Sequence, residues 1–217
     1  MTRAATDRPR AHLLRSLLRD ETGVALPELA LVLPLFLLLI FGLIDFGRMG
    51  YEFVMANKAT DLAARLAATL PPVCPGVATE NNRGVVAVGT VPPRFGTGCA
   101  SAASVCAAPA TVTCTAAVDS ASATAIWDQV HPLMPGYSSR ANLAFSYSYD
   151  ANLGFLGGPY VPVVTVEITG LSFPFVSPLG AMAAFAGGSW EGFSPTIPFP
   201  TISVSLPGED LAQGEAG

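Results

Sequence analysis

Three kinds of hydrophobic pattern follow one another along the chain. From Val24 to Ile44 the residues are apolar on every side, interrupted only by Glu28. At 1.5 Å per residue, a helix of that length spans roughly 30 Å, the hydrocarbon thickness of a bilayer. From residue 45 to 70 apolar positions recur every three or four residues: Phe46, Met49, Phe53, Ala56, Ala59, Leu62, Leu66 and Leu70. This predicts a continuation of the same helix with one covered stripe. Asp45, Arg48, Glu52, Lys58, Asp61 and Arg65 fall on its other side, which reads as a solvated face. Pro71-Pro72 ends the helix.

Beyond residue 70 the pattern breaks up and then changes period. Residues 71–118 are rich in Gly, Pro, Ala and Thr, which predicts loop with short strands such as Thr111 to Val118. Residues 121–134 predict a short helix with Ile126, Trp127, Val130, Leu133 and Met134 on its apolar side. The alternations through Leu143, Phe145, Tyr147 and Tyr149, through Val164, Val166 and Ile168, and through Ile202, Val204 and Leu206 predict strands with one buried face. The Gly-, Pro- and Phe-rich stretch 178–200 contains "AMAAFAGG", a helical turn or contact loop too short to cross a membrane. The fold class is therefore α+β: a long N-terminal helix packed on a small antiparallel sheet.

Composition sharpens this picture. The chain is 51% hydrophobic and 12% charged, with mean hydropathy +0.48. Five of its eleven basic residues (Arg3, Arg8, Arg10, Arg15 and Arg19) and three of its 16 acidic ones precede Gly23. Residues 24–217 thus carry a formal charge of −7, which gives no electrostatic reason to bind nucleic acid. Arginines before the apolar run place the N-terminus in the cytoplasm and everything after Asp45 outside. A cleaved secretory signal would have a shorter apolar core and a small-x-small site at its far end. Here the run continues into "GLIDFGRMGYEF" instead.

Glu28 then needs a reason, because an unpaired carboxylate in hydrocarbon costs several kcal/mol. It could be a tolerated polar group reaching the headgroups from the helix end. Its spacing suggests more. "DETGVALPELALVLPLFLLLIFGLIDFGR" resembles the opening of TadE-like proteins, the pseudopilins of the tight-adherence (Flp) pilus system. The shared parts are a basic leader ending in Gly23, Glu28, Ala30 to Pro34, and the exit Ile44 to Arg48; "NKATDLAARLAA", residues 57–68, is similar to the family's helix end. The chain departs from the family at Pro27, Leu29 and Ala63. The resemblance implies cleavage by a prepilin peptidase between Gly23 and Val24. The new Val24 amine of one subunit would then neutralise Glu28 of a neighbour, a pairing favourable in low dielectric only when both charges are matched. It also implies a pilin-like plan and these segments: 1–23 cytoplasmic basic leader, 24–44 transmembrane helix, 45–70 periplasmic continuation, 71–217 periplasmic β-rich domain. The partners implied are the lipid bilayer, the prepilin peptidase, other pilins and pseudopilins, and the Tad assembly platform at the bacterial inner membrane.

Cys74, Cys99, Cys106 and Cys114 all follow the apolar segment, and an even number on the exported side reads as two disulfides. Spacing does not choose among the three pairings; a hairpin around "AAPA" favours Cys106–Cys114, leaving Cys74–Cys99. The gaps are too wide for a zinc knuckle, and His131 is the only histidine after the anchor, so no metal and no cofactor are expected. The nucleophile-elbow, zincin, P-loop and dinucleotide signatures are lacking. His131 beside Trp127 reads as a packing residue, Asp119 and Asp128 as a cap and a surface charge, and Trp190 with Glu191 as core rather than a sugar platform. No enzymatic role and no small-molecule substrate are expected. The function expected is assembly, as a minor pseudopilin serving adhesion or a related secretion machine. An uncleaved, signal-anchored periplasmic binding module, such as an adhesin or lectin, is the alternative.

Overall fold

In the computed structural model, residues 25–175, 196–209 and 211 are described. The first element, α1 (Ala25–Thr69), is a single helix of 45 residues, roughly 68 Å at the standard rise. Leu and Ala supply good helix formers throughout. Pro34 lies inside it, so one backbone hydrogen bond to Ala30 is not made. The chain divides into two compact units within this helix, one ending at Phe46 and the other beginning at Gly47.

In the first unit the helix exposes apolar side chains all round, Leu31 at 80% and Leu43 at 74% among them. Asp45, expected on the solvated face, is instead buried.

In the second unit α1 buries Ala56, Ala59, Thr60, Ala63, Ala64, Ala67 and Ala68. Ala56 and Ala59 belong to the expected stripe; Phe46 in the first unit and Phe53 in this one do not join them and are exposed. Large side chains mark an apolar stripe more loudly than alanines, but alanines permit closer approach of neighbouring backbone. Thr60 sits among them because its hydroxyl donates to the Ala56 carbonyl at 2.9 Å, leaving no unsatisfied group.

The sheet is built from β1 (Val112–Thr115), β2 (Leu143–Ser148), β3 (Val163–Ile168) and β6 (Ile202–Pro207), in the order β1-β2-β3-β6 with every pair antiparallel. Register places Phe145 opposite Val166 and Val166 opposite Val204, so one face collects the branched and aromatic side chains. The other face carries Ser146, Thr165, Glu167, Ser203 and Ser205. Phe145, Tyr147, Val164, Val166 and Ile168 are fully buried, each contributing about 1.5–3 kcal/mol of apolar burial. Between β1 and β2 lies α2 (Ala121–Val130), which buries Ile126, Trp127 and Val130. Its cap is Ser120, accepting from the Ala123 amide, and not Asp119, which is exposed one residue earlier. A second, two-stranded sheet pairs β4 (Ser172–Pro174) with β5 (Thr196–Pro198).

The chain leaving α1 is tied to the sheet twice. The Val73 amide donates to the Tyr147 hydroxyl at 3.0 Å, and Cys74 is bonded to Cys114 in β1. The second disulfide joins Cys99 and Cys106. Both bonds depart from the pairing that an "AAPA" hairpin favoured. Cys114 is drawn away because β1 holds it opposite Phe145, at the end of the sheet where α1 stops. Cys99 and Cys106 instead bracket a short excursion whose ends bridge to Phe155 through Gly98 and to Arg83 through Cys106. Gly84 is required there, since a Cβ would run into the Ser104 carbonyl. "AMAAFAGG", Trp190 and Glu191 lie outside the described residues.

The two disulfides close loops of very different length, 40 and 7 residues apart. Chain entropy then predicts that removing Cys74–Cys114 as the double serine variant costs about 4 kcal/mol, against about 2 kcal/mol for Cys99–Cys106. Urea unfolding of the detergent-solubilised protein checks this order. A separate Ala63→Leu variant is expected to lose about 1–3 kcal/mol by overpacking, seen as a lower urea midpoint.

Candidate functional site

The apolar half of α1 is the first candidate surface. The stretch is apolar enough to cross a membrane, and only 6% of its most apolar window is buried. A core helix of a water-soluble domain would be mostly covered. Glu28 stands exposed in the first turn of α1, where unpaired amides and the helix dipole favour a carboxylate. That accounts for a negative charge near the helix start in water. It does not compensate the same charge in hydrocarbon, where a nearby cation is needed. Gly23 and Val24 lie outside the described residues.

The second candidate is a polar cluster on α1 just inside the second unit. Arg48 Nε is 3.1 Å from Glu52 Oε1, one helical turn on. Its Nη2 donates to the Pro174 carbonyl, and the guanidinium lies 4.5 Å from the centre of the Phe173 ring. Glu52 uses its other oxygen, Oε2, to accept the Tyr137 hydroxyl at 2.8 Å. Burial, then the hydrogen bond to Glu52 and its negative charge, push the Tyr137 hydroxyl well above its ordinary range. One arginine thus joins α1 to β4, and one glutamate joins α1 to the turn at Tyr137. A small cleft of about 230 Å³ beside the cluster is lined by Tyr51, Met55, Leu133, Met134 and Pro135.

This cluster corrects the solvated reading of Arg48 and Glu52: both are partly buried and paired. The signal lay in "FGR", whose arginine follows directly on an apolar helix; nothing in "MPGY" advertised Tyr137 as its indirect partner. Lys58, Asp61 and Arg65 are exposed. His131 is exposed with its ring 5.0 Å from that of Trp127, and Asp128 lies 3.9 Å from Arg140. The structure does not bring His131 and Asp128 into one constellation. Among the described residues, no group of three His, Cys, Asp or Glu side chains could hold a metal ion.

The family model for TadE-like protein matches residues 23–65. The matched stretch begins at Gly23, contains Glu28 and the Arg48–Glu52 pair, and ends at Arg65. It bears out the resemblance carried by "GVALPELALVLP" and "IDFGR", and it associates the chain with the Tad pilus system. Among the described residues, one long apolar helix near the N-terminus fits a membrane-anchored protein. No curated protein and no solved structure matches the chain.

Tyr137 gives the cluster a pH signature. A raised folded pKa means that its contribution to stability is fully present below pH 10.0, the ordinary value, and is lost as pH rises beyond it. Tyr137→Phe is therefore expected to flatten the alkaline fall in melting temperature between about pH 10 and 11.5, measured against the parent by thermal unfolding. Arg48→Ala is expected to lower stability by about 1–3 kcal/mol, because it leaves Glu52 partly buried without its cation.

Proposed function

We propose that this chain is a minor pseudopilin of a Flp/Tad-type pilus machine, anchored in the bacterial inner membrane with its disulfide-containing body in the periplasm. The observation that carries this reading is the match beginning at Gly23 together with a carboxylate, Glu28, at the start of the apolar, uncovered first half of α1. Its role is assembly rather than catalysis. A prepilin peptidase cuts between Gly23 and Val24 on the cytoplasmic side. The cut creates an α-amine that is positive at neutral pH. That amine meets Glu28 of an adjacent subunit as the apolar helices pack side by side. Matching the two charges removes the penalty each would carry alone in hydrocarbon, and it fixes the axial register of neighbouring helices. The body in residues 71–217 selects the partner subunits.

The test is the N-terminus of the protein extracted from membranes of cells with an active pilus machine. Mass spectrometry is expected to give a chain beginning at Val24; a chain still carrying its arginine-rich leader would point instead to an uncleaved, anchored binding module. Gly23→Val is expected to leave the precursor uncut, visible as slower migration on an immunoblot. Glu28→Gln is expected to permit cleavage yet abolish piliation, and normal pili in that variant would refute the pairing.

A further inference from the structure

The four-stranded sheet ends on both sides in strands with bare outer backbone. The Gly208 amide donates to the Pro162 carbonyl at 2.7 Å, which carries the β3–β6 register one pair further. In an antiparallel ladder, hydrogen-bonded pairs alternate with non-bonded ones. Ile202, Val204 and Leu206 therefore turn their amides and carbonyls to β3, while Ser203 and Ser205 turn theirs away from the sheet. At the opposite edge the Ala116 amide donates to the Leu143 carbonyl at 2.9 Å. Val112 and Cys114 thus bond to β2, and Thr113 and Thr115 face outward. The Thr115 carbonyl accepts the Val118 amide at 3.2 Å. The outward backbone groups of Thr113, Ser203 and Ser205 have no hydrogen-bond partner among the described residues.

Open edges are normally guarded by charged side chains, bulges or proline, because they template pairing with another chain. β1 and β6 carry no charged residue, their registers run without a bulge, and their one proline is the last residue of β6. The apolar face also runs out at both edges. Phe145, Val164 and Val166 on the inner strands are fully buried, whereas Val112 and Cys114 in β1 and Val204 and Leu206 in β6 are half-buried. On the polar face Thr113, Ser203 and Ser205 are exposed, and the Ser205 hydroxyl lies 2.8 Å from that of Thr165 on the adjoining strand.

Strand direction selects the occupant. In the order β1-β2-β3-β6, with every pair antiparallel, the two edge strands run opposite ways. A copy set alongside without being turned over therefore brings its β1 antiparallel to β6, and copies anchored in one membrane point the same way. We propose that β6 of one copy pairs with β1 of a second copy of this chain, with Ser205 opposite Thr113 as a hydrogen-bonded pair, so that two four-stranded sheets become one. This register sets Leu206 beside Val112 and Val204 beside Cys114 on the apolar face, and Ser203 beside Thr115 on the polar face. Half-buried apolar side chains meet half-buried apolar side chains, and hydroxyls meet hydroxyls. Pairing of two β6 edges in antiparallel fashion would instead require one copy to be turned over. The contact is heterologous and leaves one β6 and one β1 free, so further copies add along a row. It does not depend on processing at Gly23.

The experiment places a photoreactive benzoylphenylalanine in the full chain in place of Ser203, an exposed side chain, and irradiates native membranes. The expected product is an adduct of about twice the chain mass whose cross-link maps to residues 112–116 of the second copy. Two charge variants then test the register. Ser205→Lys with Thr113→Lys sets like charges opposite each other and is expected to reduce the adduct about threefold or more. Ser205→Lys with Thr113→Glu is expected to restore it. Positions 113 and 205 lie on opposite edges of one sheet, so that pair forms only between copies, and the shared lysine controls for damage to the fold. The proposal is overturned by an adduct with lipid or another protein, by a cross-link to β6 or any other part of the second copy, by no adduct, or by a Lys–Glu chain that cross-links no better than the Lys–Lys chain.

Discussion

Where Ala56, Ala59, Ala63, Ala64 and Ala67 turn inward, α1 presents little more than its own backbone to the rest of the second unit. A helix surface of that kind has no knobs to be accommodated. The large side chains of this unit's core come from other elements, and the sheet carries Phe145, Tyr147, Val164, Val166 and Ile168 on its one buried face. Packing complementarity of this type is intolerant of added volume on the helix side. It also frees the helix sequence to be chosen for helicity. The same α1 can then carry leucine and phenylalanine along its first half, where no protein covers it.

Charge along α1 is distributed with matching economy. In the second unit Arg48 and Glu52 satisfy each other, and each spends its remaining capacity on a distant segment, Pro174 and Phe173 in one case and Tyr137 in the other. Those contacts pin the start of this part of the helix to β4 and to the turn after α2. Glu28, in the first unit, is the contrasting case, a carboxylate on a surface otherwise made of Leu, Val, Ile and Phe. The two acids differ in what surrounds them rather than in chemistry. Under the proposed function, one is answered within its own chain and the other by a neighbour.

Legibility followed the strength of the local pattern. Period-two alternation in "LAFSYS", "VVTVEI" and "ISVSL" announced β2, β3 and β6 because each strand has one wet face. The long helix was plain because apolar residues run unbroken by turn clusters up to Pro71-Pro72, although Pro34, Gly42, Gly47 and Gly50 weaken it locally. The covered face of α1 was legible only at Ala56 and Ala59, for a physical reason. Alanine contributes little to a hydrophobic stripe, so Phe46 and Phe53 dominated the pattern although they stay exposed. Disulfide pairing was not legible, since Cys74 and Cys114 are brought together by the sheet and not by the residues around them. Tyr137 escaped for the same reason: its partner is 85 residues away.

The bond from Cys74 to Cys114 also has a mechanical meaning. Tension arriving along α1 reaches Cys74 just after the helix ends and passes through sulfur directly into β1. There it meets the ladder between β1 and β2. The long excursion from residue 75 to 113 is bypassed and stays slack under load. A subunit hauled by its helix would thus keep its loop surfaces in their resting shape.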